Sequence, residues 1–362
     1  MRFPMGPVVA TALAALSVSP VAHANPTFNL TYIPGTSAQA QAAFATAANY
    51  WSSVFTDNVT INLTVGTGVL GPGILASAGS VETAYSYSTF RAAMAADVSS
   101  AIDTAAVAHL PNTTGVSVYL NYTSNNPNGA GSAVAYVDAD GDANNTTVMI
   151  TNANAKALGL TPVGAVSGDC TGSCDGFIQF STGFTYDFDS SNGVTGGTYD
   201  FVGLAKHEIG HTLGFVSGVD ILDINSTSPN FFRDDQFIFV SPLDMFRCSA
   251  ASASNGTTLD FTAGAGTRNF SLDNCATTLG TFSEGKVHGD GRQASHWKDN
   301  LGLGIMDPTA APNETLVVTP LDLIGFEVIG WNLDIPEPGT LALGAAWLLG
   351  LAAARRRSAA AA

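Results

Sequence analysis

The chain has 362 residues, 46% hydrophobic and only 12% charged, which supplies apolar material for one large core or two smaller ones. A formal net charge of −16, with 13 lysines and arginines in all, argues against a nucleic-acid binder, because phosphate backbones are held by cationic side chains. Low charge with frequent Gly, Ser, Thr and Asn fits an exported bacterial protein.

The opening MRFPMGPVVATALAALSVSPVAHA has Arg2, an apolar stretch over 8–16 and a small-residue close at Ala22-His23-Ala24. These are the parts of a secretory signal cleaved near Ala24. Strand, helix and strand follow. FNLTYI (28–33) alternates, 37–55 carries Ala42, Phe44, Ala47, Trp51 and Phe55 at helical spacing, and VTINLTVG (59–66) alternates again. A second helix is expected within 86–110. Strands are expected at 115–122 and 146–151, the latter turning into a short helix, and 175–188 reads as extended. Between them VDADGDANN (137–145) offers Asp138, Asp140 and Asp142 around Gly141, the opening of a calcium loop. Ile150 falls near the slot where the full loop wants Glu, so a solvated Asp/Asn turn competes with a calcium site there.

The next helix carries LAKHEIGHTLGFVSGVD (204–220). Residues four apart on a helix face the same way, so His207 and His211 can bind one Zn2+ while Glu208 stands beside it as general base. Zinc lowers the pKa of bound water to about 7 and polarises a carbonyl, which makes hydrolysis feasible at neutral pH. Apolar Phe201, Val202, Leu204, Ala205, Ile209 and Leu213 bury this helix, and Gly214 ends it. A hydrolytic zinc needs a third protein ligand, and Ser217, where one is often found after H-E-x-x-H-x-x-G, is a poor one. Asp220 is three residues late. His23 leaves with the signal and His109 lies far upstream, which leaves His288 and His296. His296 precedes Met306 by ten residues, within GDGRQASHWKDNLGLGIMDPT.

The beginning H-E-x-x-H-x-x-G and a methionine turn are metzincin hallmarks. The chain resembles the leishmanolysin family, in which a long insertion separates the helical motif from its third histidine and a Met-x-Pro turn follows. That resemblance implies His207, His211 and His296 as metal ligands, Glu208 as general base and Met306 as the methionine turn. It covers 199–215 and 295–308 well and the stretch between hardly at all. A long prodomain and the many cysteines typical of leishmanolysins are missing from the pattern.

Four cysteines in an exported chain suggest two disulfides, and proximity favours Cys170–Cys174 and Cys248–Cys275. A cysteine zinc site competes, without a paired C-x-x-C spacing to support it. After the turn, TPLDLIGFEVIGWNL offers Thr319 as N-cap, Pro320 at the first helical position and Leu321, Ile324 and Val328 at helical spacing. The end IPEPGTLALGAAWLLGLAAARRRSAAAA joins Pro336-Glu337-Pro338, an apolar run over 340–354 and Arg355, Arg356 and Arg357. As a helix that run spans roughly 22 Å, short of a ~30 Å hydrocarbon core, and the arginines would mark the cytoplasmic side. This order resembles the PEP-CTERM sorting signal. It implies export in a Gram-negative bacterium to the cell surface or extracellular matrix, transient membrane anchoring, and removal of the tail by an exosortase-type enzyme. A plain membrane anchor is the alternative. Together with the motif, the tail is similar to a family of PEP-CTERM-sorted bacterial metalloproteases.

The expected organisation is a signal peptide (1–24), a catalytic subdomain with the motif helix (25–217), an inserted region and C-terminal subdomain with the third ligand and the methionine turn (218–332), and the sorting signal with a short transmembrane segment (333–362). The expected fold is α+β and metzincin-like. It has a twisted, mixed, mostly parallel five-stranded sheet, two long helices and a smaller irregular C-terminal subdomain. The segment 177–182 is the expected antiparallel edge strand, which would bind an extended peptide. The expected activity is that of a secreted zinc endopeptidase acting on protein or peptide substrates. A non-catalytic matrix or adhesion protein that kept the fold, and a zinc hydrolase of non-peptide bonds, are the rivals.

Overall fold

The structure, a computed structural model, describes residues 24–163, 170 and 174–334. The expected signal peptide and sorting tail lie outside the described residues, apart from Ala24, Leu333 and Asp334 at their inner ends. Among the described residues no helix is long and apolar enough to cross a membrane.

In chain order the elements begin with β1 (Thr27–Tyr32), α1 (Ala38–Val54), β2 (Thr60–Gly68), β3 (Ala76–Ser80), β4 (Glu82–Ser86), α2 (Tyr87–Asp97) and α3 (Ala101–His109). Next come β5 (Val118–Leu120), β6 (Tyr136–Asp138), α4 (Ala143–Thr146), β7 (Thr147–Thr151), α5 (Asn152–Ala157) and β8 (Gly176–Ser181). Then follow β9 (Tyr186–Asp187), β10 (Tyr199–Asp200), α6 (Phe201–Thr212) and α7 (Val219–Asn225). The remainder holds β11 (Arg247–Cys248), α8 (Ala250–Ser254), β12 (Leu259–Asp260), β13 (Arg268–Phe270), β14 (Gly280–Phe282) and α9 (Pro320–Glu327).

This is a mixed α/β protein with one principal sheet and several small ones. The principal sheet has the order β1-β2-β8-β3, with β1, β2 and β8 parallel and β3 antiparallel to β8. Three expectations are corrected here. Among the described residues the sheet has four strands rather than five, because the strands at 115–122 and 146–151 pair elsewhere. Strand β5 joins β6 and β12, and β7 joins β4. The edge strand is β3, not 177–182, whose β8 lies inside the sheet between β2 and β3. The single helix expected within 86–110 is also two helices. Ser100 starts the second, accepting from the Ile102 and Asp103 amides while the Asp103 carboxylate accepts from the Ser100 amide.

Helix α1 starts where the Ser37 hydroxyl accepts from the Ala40 amide, and its Phe44, Ala47 and Trp51 are buried. Phe44 meets both Phe180 of β8 and Phe201 of α6 edge-on, at centroid distances of 5.1 and 5.0 Å. The Trp51 indole donates to the Lys206 carbonyl (3.1 Å), so an apolar body and a polar tip together lock α1 to α6. Phe55 and Trp51 also pack on Phe326, and Phe55 on Trp331, drawing α9 against the same helix. Removing a ring such as Phe44 from this core costs about 3–5 kcal/mol. The disulfides join Cys170 to Cys174 and Cys248 to Cys275, the expected pairs.

Candidate metal centre

Helix α6 begins at Asp200, whose carboxylate accepts from the Gly203 amide (2.9 Å) and holds the Leu316 amide as well (3.2 Å). It ends in a left-handed turn. Gly214 has φ +116°, its amide donates to the His211 carbonyl, and the Phe215 amide donates to the Gly210 carbonyl (both 3.1 Å). The turn brings the Phe215 carbonyl back over the helix end, where it accepts from His211 Nδ1 at 2.7 Å. The turn that stops the helix therefore also orients one imidazole.

His296 comes from a distant part of the chain, 85 residues after His211. Its Nε2 lies 3.1 Å from that of His211 and 3.3 Å from that of His207, and the two helical rings are 3.0 Å apart at the same atoms. The buried Asp220 carboxylate accepts from the Ala294 (2.6 Å) and Ser295 (3.2 Å) amides and so fixes the backbone leading into His296. The turn at 304–308 closes the site from below. The Ile305 carbonyl accepts from His207 Nδ1 (2.7 Å), and Met306 is fully buried against Gly210. A Cβ on Gly210 would stand 2.8 Å from the Met306 sulfur, so glycine at this motif position is what lets the turn approach the helix. Asp322, in the first turn of α9, gathers four N–H groups from three segments. These are Trp297 Nε1 (2.8 Å) and the amides of Ile305 (2.9 Å), Met306 (3.2 Å) and Thr319 (2.7 Å).

A backbone carbonyl can only accept, so His207 and His211 carry their protons on Nδ1, and His296 Nδ1 meets the Gln293 carbonyl in the same way (3.3 Å). Three unprotonated Nε2 atoms then converge on one point. Burial, first, holds all three rings below the ordinary histidine range, His211 at about 3, which keeps them neutral. Facing lone pairs repel unless a cation lies among them. Nitrogens at about 2.0–2.1 Å around a tetrahedral Zn2+ stand roughly 3.3 Å from one another, and the observed 3.0–3.3 Å fits that donor set. Glu208 is 6% exposed, and burial pushes its carboxyl up to about 8. A divalent charge in the same cleft would favour its ionised form.

The other residues weighed from the sequence have different work. Ser217 donates to Asp244 (2.5 Å), His288 donates to or accepts from nothing in the cluster but meets the Ser226 carbonyl (2.7 Å) and stacks on Tyr122, and His109 meets the Met245 carbonyl (2.8 Å). Asp138, Asp140 and Asp142 do come together, with one carboxylate oxygen from each within 4.8 Å of the others. Asn144 donates to Asp138 (2.7 Å), and its own buried amide oxygen has no partner among the described residues. Such an all-oxygen set suits a hard cation. The holding roles of Asp220, Asp322 and the Phe215 carbonyl were not seen in the sequence. Of these only Asp322 left a local signal, its place three residues after the Thr319 N-cap.

The three rings open onto a cleft of about 580 Å³ that runs along edge strand β3 and is bounded by Val216, Phe239, Gln293 and Pro308. Compared with protein-family models, curated proteins and solved structures, the chain matches none.

Proposed function

We propose that the chain is a zinc-dependent endopeptidase of metzincin type, with His207, His211 and His296 holding Zn2+ and Glu208 as general base. The observation that carries the reading is the convergence of three neutral imidazole Nε2 atoms at 3.0–3.3 Å beside a buried carboxylate, at the floor of an open cleft. Bound zinc supplies Lewis acidity, polarising a carbonyl and easing deprotonation of water. The chain's own residues do the rest. Glu208 takes the proton of the attacking water on a carboxylate oxygen and returns it to the departing amine nitrogen, so that one peptide bond breaks and one C–O bond forms. Ile305, Phe215 and Gln293 carbonyls keep each ring's proton on Nδ1 and its lone pair inward. Strand β3, unpaired on one side among the described residues, offers backbone hydrogen bonds to an extended polypeptide. Export, tail removal by an exosortase-type enzyme and a place at the cell surface follow from the sequence resemblance, and two disulfides support an oxidising compartment.

The test is metal analysis together with digestion of a reduced, alkylated protein by wild type and by Glu208→Gln. Zinc at one per chain in both, with cleavage only by wild type, is the expected result. Zinc without cleavage in either protein would refute the endopeptidase.

A further inference from the structure

Glu82 is the cleft residue that the proposed chemistry leaves unused. It opens β4, just beyond edge strand β3. Its neighbours Val81 and Thr83 turn inward, at 4% and 8% exposure, and Thr83 donates to Asn152 inside the protein (2.8 Å). Alternation along the strand therefore aims Glu82 the other way, into the cleft that holds His207, Glu208 and His211. Among the described residues nothing hydrogen-bonds or ion-pairs with its carboxylate.

The electrostatics around it are one-sided. Burial, and then the nearby Asp244 carboxylate, push the Glu82 carboxyl up to about 7. Asp244 is itself occupied, accepting from Ser217 Oγ (2.5 Å) and from the Gly218 and Ser241 amides (2.9 Å each). The cations lining the same cleft, Lys286 and Arg292, come from the segment before His296, and Arg292 is held by Asp299 (2.9 Å). Neither pairs with Glu82. Ser217 and Ser241 also line the cleft, but their hydroxyls are already engaged with Asp244 and the Val216 carbonyl, which leaves the Glu82 carboxylate as the unengaged polar group beside them.

A half-buried carboxylate without a cation is a poor place for a neutral side chain and a worse one for an acidic side chain. It gains most from an ammonium or guanidinium group that displaces its water. We propose that Glu82 is a specificity-determining residue that receives a lysine or arginine side chain of the polypeptide substrate. The assignment rests on the endopeptidase reading. A charged hydrogen bond gained or lost in a cleft corresponds to roughly 10–100-fold in kcat/KM.

The test uses the zinc-loaded chain on a reduced, alkylated protein, with cleavage sites read by mass spectrometry. Matched peptides then carry Arg, norleucine or Glu at the enriched position. The expected result is enrichment of Lys and Arg at one subsite and an Arg-to-norleucine ratio of kcat/KM of roughly 10–100. That ratio should fall towards one in Glu82→Gln, and Glu82→Lys should favour the Glu peptide. Cleavage by wild type without a basic preference, or a preference unchanged in Glu82→Gln, overturns the assignment and leaves the endopeptidase standing. Absence of cleavage by zinc-loaded wild type, matched by Glu208→Gln, overturns both.

Discussion

Asp322 ties together the segments around the three histidines, and Asp322→Asn tests how much depends on it. The carboxylate is fully buried, with Trp297 Nε1 and the Met306 amide on one oxygen and the Ile305 and Thr319 amides on the other. An asparagine keeps the shape but turns an NH2 group towards two of those donors. Each buried donor left without an acceptor costs about 1–3 kcal/mol, so the loss sums to about 2–6 kcal/mol. Relief of a buried charge works against this, since burial is the leading cause that raises the Asp322 carboxyl above its usual range. The net expectation is about 2–4 kcal/mol less stability, a large share of what a typical domain has. The damage should also reach the metal, because the Ile305 carbonyl orients His207 and the Met306 carbonyl accepts from the Trp297 amide beside His296. Zinc affinity should fall by about 10–100-fold. Urea unfolding of the zinc-loaded protein and competition with a zinc-binding dye measure the two effects. A stability change below about 1 kcal/mol with unchanged zinc affinity would refute this reasoning.

Other expectations follow from the same geometry. His296→Ala should release zinc while leaving helix α6 intact by circular dichroism, and full zinc retention would rule out His296 as the third ligand. Asp57, Asp97 and Glu327 are raised to about 6, 7 and 7, each first by burial. Since these folded-state values lie above unfolded ones near 4, their stabilising contribution is full below about pH 4 and is lost as pH rises through 6–7. Unfolding midpoints should therefore be lower at pH 8 than at pH 5.5. Glu327→Gln should remove about 2 kcal/mol of that difference, and a flat or rising profile would contradict it. Calcium chloride should raise the melting temperature of the zinc-loaded wild type but not of an Asp140→Asn, Asp142→Asn double variant. Equal shifts in both would show that the aspartate loop does not bind the ion.

The candidate site was legible where its logic is local. His207, Glu208 and His211 share a helical turn, and Gly214 announces the helix end, so spacing alone sets their relation. His296 was reached only through Met306 and a family resemblance, since no local rule says which distant ring returns to a helix. Asp220 illustrates the difference: weighed as a ligand from its place in the chain, it instead holds the Ala294 and Ser295 amides, a contact made across 74 and 75 residues. Strand alternation at 28–33 and 59–66 identified β1 and β2, but periodicity does not name a strand's partner, and the five-stranded expectation failed on that point. Strand β3, ASAGS, has small and polar residues of low strand propensity, and pairing with β8 makes it extended.

The third imidazole arrives from so far along the polypeptide that no fragment ending before residue 296 contains the full histidine set. A nascent chain, or one nicked so that the later portion drifts away, keeps the H-E-x-x-H helix yet would offer a zinc ion two rings alone. On the endopeptidase proposed above, hydrolytic competence would be tied to completion of folding, and a half-made chain would be harmless to its surroundings.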